Sequence, residues 1–377
     1  MQKIKNTIRP AWIEVDITQL RKNFELILQD KPDDLKFISV IKANAYGHGA
    51  TEVGKIAIKF GAIYLAVATI DEALELKKNI PTASIMIFGE RTDDEFRIAL
   101  EHNFICCVGD IGRAKKFASI SKQLNKQGIV HIKVDTGMSR YGTRWEKAIE
   151  LVEYASKNKF FSLQGLMSHF SASDGVDKSF ALKQIERFKQ VVDEMKQRGI
   201  EVKYRHMCNS GGFLDLPQAH FDLVRLGLLP LGVYPSQTCR RINGIESAMS
   251  VKCKISAIRE IEPGDFVGYG MRYQAKTTRR IATLPIGYGD GYPRIHNQGA
   301  ALIRGKRVPI IGTNAMDAMM VDITNISQVK LWDEVVLLGK QDNEEITVHE
   351  IAKLKNSVSY DVFTGLNTRL PRRYTGR

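Results

Sequence analysis

Cysteine is scarce in this sequence, and its spacing fits no metal site. Five cysteines occur in 377 residues, and none lies in a C-x-x-C pair or beside histidines at the spacing of a zinc site. Such sparse thiols are typical of a reducing compartment and exclude a disulfide framework. We therefore expect free thiols and no metal ion.

Long apolar runs are also absent. No stretch approaches the roughly 18 consecutive apolar residues of a membrane span. The first residues lack the apolar core of roughly 7–15 residues that a secretory signal carries. Hydrophobic residues nevertheless make up 44% of the chain and charged residues 26%, which is an ordinary globular composition. These features predict a cytoplasmic globular protein that does not interact with membranes.

Acidic residues are fewer than basic ones, at 42 against 55, which gives a net charge of +13. The basic residues are scattered and interleaved with acids, for example between Asp71 and Lys78, and no nucleic-acid-reading motif occurs. A solvated, lysine-rich surface is therefore favoured over a nucleic-acid partner. A few of the cations remain available for an anionic small molecule.

Short apolar runs alternate with amphipathic helical stretches between about residues 36 and 230. The apolar runs are nearly continuous, which is typical of parallel strands that are covered on both faces. Eight such runs with helices between them predict a (β/α)8 TIM-type barrel. A doubly wound open sheet is the alternative, but no G-x-G-x-x-G turn follows the first run.

The pattern changes in the last third of the chain. Short strand-like segments with Gly, Pro and Asp at their turns predict a mostly β C-terminal domain. We place the boundary so that residues 1–235 form the barrel domain and residues 236–377 form the β-rich domain. The first strand signal, near residue 12, precedes the eight barrel runs and is a candidate to pack on the second domain.

Polar residues follow the ends of the predicted barrel strands, where barrels place their chemistry. Lys42 ends the first apolar run, and burial there would lower the pKa of its amine and allow it to form a Schiff base. The alternative is a lysine whose ammonium group reaches solvent beyond the strand. The other candidates at this rim are Lys133, Arg140, His169, Asn209, Ser210 and Arg225.

The motifs around these residues resemble those of the alanine racemase family. The segment VIKANAYGHG around Lys42 looks like the family's cofactor-attachment motif. Seven further motifs follow in the family's order, namely KVDTGMSRYG, SHF, the NSG of MCNSGG, VRLG, VGYGMRY, PIGYGDGY and AMDAMMVD. The resemblance covers the chain from about Trp12 to Arg373, and eight motifs in register are far more specific than any one of them.

The resemblance implies a pyridoxal 5'-phosphate enzyme that interconverts L-alanine and D-alanine and supplies D-alanine for peptidoglycan. It also implies a homodimer in which each active site combines one subunit's barrel with the other subunit's β domain. Lys42 would hold the cofactor as an aldimine and act as one base, and Tyr269 from the partner subunit would act as the second. Two bases are needed because a single base tends to return the proton to the face from which it came.

Further roles are implied by the same resemblance. The residues implied to bind the cofactor are Lys42, Tyr46, His169, Asn209, Ser210, Arg225 and Gly227, those implied to bind substrate are Arg140 and Met316, and those implied to support them are Lys133, Tyr288 and Asp317. Arg225 would face the pyridine nitrogen, and because arginine hardly gives up its proton, it favours racemisation over transamination or decarboxylation. In many family members the lysine that matches Lys133 is carbamylated.

The chain departs from the family pattern in two places. The residues that flank Met316 and Asp317 differ, and Thr368 stands where many members have tyrosine. A smaller residue there predicts relaxed specificity, because one extra methylene is worth only about 1–3 kcal/mol of discrimination.

Three alternatives stay open at this point. The first is a racemase of the same fold that prefers serine or a longer amino acid. The second is a non-catalytic protein that binds pyridoxal phosphate, although such single-barrel proteins lack the β domain predicted here. The third is a decarboxylase on a related scaffold, which Arg225 and the lack of any cysteine after Cys253 disfavour.

Overall fold

The computed structural model describes residues 8–376, which form two compact units. The barrel unit comprises residues 22–45 and 49–245, and the β-rich unit comprises the described residues 8–21, 46–48 and 246–376. The outer limits of the predicted domains, residues 1 and 377, lie outside the described residues.

The strands and helices are numbered in chain order. The strands are β1 (Ala11–Asp16), β2 (Lys36–Val40), β3 (Tyr64–Val67), β4 (Ile85–Ile87), β5 (Ile105–Val108), β6 (Gly128–Asp135), β7 (Thr143–Arg144), β8 (Phe161–Met167), β9 (Tyr204–His206), β10 (Leu223–Leu226), β11 (Met249–Lys254), β12 (Ala257–Ile261), β13 (Phe266–Val267), β14 (Tyr273–Gln274), β15 (Arg279–Leu284), β16 (Ala300–Ile303), β17 (Lys306–Ile311), β18 (Met319–Asp322), β19 (Glu334–Gln341), β20 (Glu344–Ile346) and β21 (Arg372–Thr375). The helical segments are α1 (Ile17–Asp30), α2 (Lys42–Tyr46), α3 (Ala50–Lys59), α4 (Ile70–Asn79), α5 (Asp93–His102), α6 (Ile111–Leu124), α7 (Ala148–Lys157), α8 (Ser179–Gln197), α9 (Ser210–Asp215), α10 (Val348–Leu354) and α11 (Ser359–Gly365).

Eight parallel strands form the barrel, in the order β10-β2-β3-β4-β5-β6-β8-β9. They coincide with the eight apolar runs of the sequence. The ring is nearly closed, because the N–H groups of Asp222 and Arg225 donate to the carbonyls of Arg205 (3.1 Å) and Cys208 (2.9 Å) across the gap between β9 and β10. The predicted (β/α)8 barrel is confirmed, and the carboxyl ends of its strands meet at one rim.

The β-rich unit is built on a ten-stranded sheet in the order β12-β15-β18-β17-β16-β19-β11-β1-β21, with β20 beside β19. β1 pairs antiparallel with β11 and parallel with β21. The strand near residue 12 is therefore part of this sheet. The predicted fold class, a barrel followed by a mostly β domain, is confirmed.

The chain passes from the barrel unit to the β-rich unit between residues 245 and 246. The segment after residue 235 stays with the barrel unit because Arg240 binds two of its carboxylates. Its guanidinium pairs with Asp30 at the end of α1 (2.6 Å), and its N–H donates to Asp215 (2.9 Å).

Two neighbouring barrel helices, α4 and α5, begin with the same capping box. In α4, Thr69 accepts from the N–H of Glu72 (3.2 Å), and Glu72 accepts from the N–H of Thr69 (3.2 Å). In α5, Thr92 and Glu95 make the same two bonds, at 3.3 Å and 2.8 Å. Each box satisfies two backbone donors that a helix start otherwise leaves unpaired.

Candidate active site

Lys42 lies immediately after β2, at the carboxyl rim of the barrel. Its side chain is half-buried, and burial is the main cause that lowers the pKa of its amine. The neighbouring cation Arg140 lowers this pKa further, and the carboxylate of Glu72 opposes the shift. An amine whose proton is held less tightly is suited to bond a carbonyl carbon or to accept a proton.

The backbone after Lys42 forms a turn whose residues have the left-handed conformation. The four residues Ala43–Tyr46 have φ angles between 50° and 54°, although none of them is glycine. Each such residue costs roughly 1–2 kcal/mol relative to the right-handed form. Asn44 helps to hold the turn, because its carbonyl accepts from the N–H of Gly49 (2.8 Å) and its side chain from the N–H of Ala50 (2.8 Å). Strain of this kind persists only where the surroundings specify the conformation, as they do at functional sites.

Arg225 lies on β10 inside the barrel with 2% of its surface exposed. Its guanidinium donates to Nδ1 of His206 (2.8 Å), Nδ1 of His169 (2.8 Å) and the carbonyl of Ser168 (2.7 Å). All of these partners are uncharged acceptors, so the positive charge of Arg225 is hydrogen-bonded but not neutralised. Burial lowers its pKa to about 10, which leaves it protonated at neutral pH.

Arg225 also determines the tautomers of three histidines. Because a guanidinium only donates, His206 and His169 must accept at Nδ1 and carry their protons on Nε2. His206 Nε2 then donates to Nδ1 of His131, 2.9 Å away. Burial lowers the pKa of all three histidines, that of His131 to about 3, so they are neutral. His169 is thus held by Arg225 and keeps an Nε2–H donor.

Lys133 and Arg140 add two more basic groups. Burial, reinforced by the charge of Arg225, lowers the pKa of Lys133 to about 7. Arg140 is exposed and follows a loop held by Asp135, whose carboxylate accepts from the N–H groups of residues 137–139 at 2.9–3.1 Å.

Asn209, Ser210 and Gly227 converge at the ends of β9 and β10. Asn209 begins α9, and its side chain accepts from the N–H of Gly212 (2.9 Å). The hydroxyl of Ser210 accepts from the N–H of Gly227 (3.3 Å) and of Leu229 (3.4 Å).

The barrel residues fit pyridoxal phosphate because of this charge pattern. Lys42, Lys133, Arg140 and Arg225 act electrostatically on one another, and the carboxylates that act on them in the barrel unit are Glu72 and Asp135. Four cations against two carboxylates leave an excess of positive charge, part of which is buried, so such a site favours a ligand that carries negative charge. The phosphate and the phenolic oxygen of pyridoxal phosphate, together with a substrate carboxylate, provide that charge.

The remaining predicted site residues belong to the β-rich unit, namely Tyr46, Tyr269, Tyr288, Met316 and Asp317. Tyr46 is buried, and its ring contacts that of Tyr360 at 5.9 Å. Tyr269 lies on the 3-10 turn Tyr269–Met271, and 70% of its surface is exposed. Met316 is also exposed, at 50%.

The loop that carries Met316 is held by the turn Tyr288–Asp290 of the PIGYGDGY motif. The N–H of Gly289 donates to the carbonyl of Met316 (2.8 Å), and Asp317 pairs with Arg369. Among the described residues, none accepts a hydrogen bond from the N–H of Met316. A free N–H in a fixed loop is suited to bind a carboxylate.

Sequence reasoning missed four residues that shape the barrel site: Glu72, His131, Gln184 and His206. The two histidines lie in predicted strands, and only the folded barrel places them beside Arg225. Gln184 lies on α8 with none of its surface exposed. No local signal distinguishes it from the other polar residues of that helix.

Gln184 joins the loops that carry Arg140 and His169, and we predict that its replacement destabilises the barrel. Its side chain donates to Thr136 Oγ1 (3.1 Å) and to the carbonyl of His169 (3.1 Å), and it accepts from the N–H of Ser171 (2.9 Å). Gln184→Ala removes these three hydrogen bonds and leaves a cavity at a fully buried position, and it should lower the midpoint of thermal unfolding by about 4–10 °C. Differential scanning calorimetry measures this midpoint. The control Gln123→Ala removes a bond on the surface, and an equal loss in it would contradict the role of Gln184.

None of the helices among residues 8–376 is both long enough and apolar enough to cross a membrane. The same residues contain no cluster of three His, Cys, Asp or Glu side chains that could hold a metal ion.

Comparison with known proteins finds one family for both parts of the chain. Residues 15–235 match the family described as alanine racemase, N-terminal domain, and residues 248–374 match alanine racemase, C-terminal domain. Alanine racemase 2 of Caldanaerobacter subterraneus subsp. tengcongensis is 38% identical over 98% of this chain and 96% of its own length. Alanine racemase 2 of Bacillus subtilis is 37% identical over 97% and 95%.

Solved structures are similar over the same extent. The alanine racemase of Clostridium difficile 630 superposes with a TM-score of 0.93 at 34% identity, over 99% of this chain and 97% of that one. The alanine racemase of Bacillus anthracis with bound L-Ala-P has a TM-score of 0.91 at 31% identity, over 98% and 97%.

The fold and the site define a pyridoxal 5'-phosphate-dependent isomerase of the barrel-plus-β-domain type. The chain belongs to the alanine racemase family. The general role of this family is to supply D-alanine for peptidoglycan.

Proposed function

We propose that Lys42 and Tyr269 are the two bases of an alanine racemase, and that two subunits of a homodimer contribute them to one shared site. The observation that carries this proposal is the distribution of the motif residues. The barrel unit holds Lys42, whose amine has a lowered pKa, whereas Tyr269 and Met316 are largely exposed in a single chain. Exposed motif residues of this kind fit a site that a second copy completes.

The residues that would hold the cofactor are Lys42 at its carbonyl carbon, Ser210 with the backbone of Gly227 and Tyr46 at its phosphate, and Arg225 at its ring nitrogen. When bound, pyridoxal phosphate delocalises the electron pair that remains at the α-carbon after its proton has left. Arg225 keeps its own proton, because its pKa stays near 10 even when buried. A ring nitrogen that faces Arg225 would thus stay unprotonated, which would limit side reactions.

Proton transfer is the task of the two bases. Lys42 moves the α-proton on one face of the substrate, and Tyr269 moves it on the other, with His169 beside it. Each base gives up a proton in one direction of the reaction and takes one in the other, so both enantiomers are substrates. Arg140 and the N–H of Met316 orient the substrate carboxylate. Asp317 and Tyr288 support the loop of Met316 and the substrate entrance.

In this proposal Lys133 is carbamylated and supports Arg140. A lysine with a pKa of about 7 is partly neutral at neutral pH, which is the form that reacts with carbon dioxide. Carbamylation would turn a cation beside Arg140 into an anion that pairs with it. Native mass spectrometry would show the added carbon dioxide, and an unmodified mass in bicarbonate buffer would contradict this part of the proposal.

The direct test follows the α-proton and the chirality of alanine together. The protein is incubated with pyridoxal phosphate and L-alanine in D2O, and NMR follows the loss of the α-proton while a chiral assay follows D-alanine. We expect deuterium to enter as D-alanine appears. Exchange with retained chirality would contradict the role of Tyr269, and the absence of exchange with any amino acid would contradict the racemase.

Thr368 favours a second candidate function, in which the enzyme also racemises serine. It is an exposed residue beside Arg369, which pairs with Asp317 in the Met316 loop. We predict that Thr368→Tyr lowers the ratio of kcat/KM for serine over alanine by roughly 5–100-fold, because it removes the space that one extra hydroxyl needs. Racemisation assays with both amino acids measure the ratio. The exposed control Thr277→Tyr should leave it unchanged, and an unchanged ratio in Thr368→Tyr would exclude this role.

We also propose that the enzyme works in the cytoplasm. Five free, buried cysteines support this location, because thiols stay reduced in that compartment. Fractionation of expressing cells tests it.

A further inference from the structure

Glu72 connects the start of α4 to the residue that follows Lys42. Its Oε2 accepts from the N–H groups of Ala68 (2.9 Å) and Thr69 (3.2 Å), as the capping box of α4 requires. Its Oε1 points the other way and accepts from the N–H of Ala43 at 2.5 Å. One carboxylate thus binds the ends of two adjacent barrel strands, β2 and β3.

Helix capping alone does not account for this second bond. Glu95 and Glu350 occupy the same position in the capping boxes of α5 and α10. Both form ion pairs with arginines, Glu95 with Arg91 (2.9 Å) and Glu350 with Arg307 (2.9 Å). Among the described residues, Glu72 forms no ion pair, and its second oxygen is used on the backbone beside Lys42.

The bond is made at the start of a strained turn. Ala43 is the first of the four consecutive residues with left-handed φ angles, and the Lys42 side chain leaves the backbone just before them. A charged acceptor forms roughly twice as strong a hydrogen bond to a backbone N–H as a neutral one. Such a bond is suited to hold a turn that is otherwise unfavourable, and with it the direction of the preceding side chain.

We propose that Glu72 is a positioning residue for Lys42, which it serves by holding the Ala43 N–H and by placing a negative charge toward the Lys42 amine. This inference rests on the proposed role of Lys42 as the reacting amine. It assigns a function to a residue that the sequence motifs did not identify.

The charges around Lys42 agree with this role. Arg140, from the loop after β6, lowers the pKa of Lys42, and Glu72, from α4, raises it. His169, from the loop after β8, also interacts with Lys42 and is neutral because burial lowers its own pKa. Glu72 therefore provides the negative charge that keeps the pKa of the buried amine from falling further.

The test compares Glu72→Gln with two cap variants that keep the Glu72 carboxylate. The full-length chain is freed of pyridoxal phosphate, pulsed with acetic anhydride over a range of pH, and digested, so that mass spectrometry gives the rate of Lys42 acetylation. An amine reacts only when it is deprotonated, so the midpoint of the rate against pH reports its apparent pKa. The controls are Thr69→Ala, which weakens the same cap of α4 but keeps the Glu72 carboxylate, and Glu95→Gln in α5.

We expect Glu72→Gln to move the Lys42 midpoint down by roughly 0.5–1 pH unit, because an opposing negative charge has been removed. In the enzyme loaded with cofactor, kcat should fall roughly 10-fold or more, because the single acceptor oxygen of the glutamine amide cannot serve both the Ala43 N–H and the α4 cap, so that Lys42 is held less firmly. Thr69→Ala and Glu95→Gln should keep the midpoint and stay within roughly twofold of the original kcat. Glu72→Asp retains the charge and should restore most of the midpoint.

Either of two results would overturn the inference. One is a Lys42 midpoint in Glu72→Gln equal to that in Thr69→Ala. The other is a midpoint in Glu72→Asp as low as in Glu72→Gln, since the charge would then have no effect. Either failure is distinct from a failure of the proposed function, which would appear as activity that survives Lys42→Ala.

Discussion

Lys42→Ala should reduce racemisation of alanine by at least about 10³-fold. In the proposed mechanism, the variant loses both the amine that would bond the cofactor and one of the two bases. The loss is measured as kcat/KM in both directions. Reduction with borohydride followed by peptide mapping should find pyridoxal phosphate on Lys42 in the original chain and nowhere in the variant.

A lysine at the opposite end of the same strand provides the control. Lys36 begins β2 and is exposed, so Lys36→Ala should keep the activity within roughly twofold. If Lys42→Ala still bound the cofactor covalently and racemised alanine, another amine would carry the reaction.

Tyr269→Phe should lower racemisation by roughly 10²–10⁴-fold, because one face of the α-carbon loses its proton donor and acceptor. The remaining base still works on its own face. One enantiomer of alanine should therefore keep exchanging its α-proton in D2O without inversion, whereas the other should exchange much more slowly. Tyr273→Phe, on strand β14 of the same hairpin, is the matched control and should retain full racemisation.

Mixing the two inactive variants tests whether the site is shared between subunits. In a dimer of Lys42→Ala with Tyr269→Phe, one site lacks both bases and the other keeps both. Random reassociation of equal amounts should restore about one quarter of the original activity, since half of the dimers are mixed and each has one intact site. A mixture that stays inactive after subunit exchange would place both bases within one chain.

Local sequence patterns predict much of the barrel, because its strands are short and buried on both faces. Eight nearly continuous apolar runs coincide with β2–β6 and β8–β10. Lys42 could be singled out because it ends an apolar run at the predicted rim of the barrel and because it lies in a longer motif. The motif residues of the β-rich unit could be recognised only by resemblance, since glycine-rich turns carry little chemical information by themselves.

Local patterns could not predict the contacts inside the barrel, because these contacts join residues that lie far apart in the chain. His131, His206 and Arg225 come from three strands, and their hydrogen bonds exist only once those strands are neighbours. The pKa of about 7 for Lys133 likewise depends on burial beside Arg225. Gln184 gives no signal in the sequence because its partners lie on other segments.

The sequence by itself therefore determined the class of fold and the family, because those follow from periodicity and from contiguous motifs, and it predicted Lys42 as the reactive lysine. Only the tertiary structure decided how these groups are held and charged. It placed β1 in the sheet of the β-rich unit, surrounded Arg225 with uncharged hydrogen-bond acceptors, and brought Glu72 to the backbone beside Lys42. The physical reason is that desolvation and hydrogen bonding depend on distances between atoms, and distances between remote residues are defined only when the chain has folded.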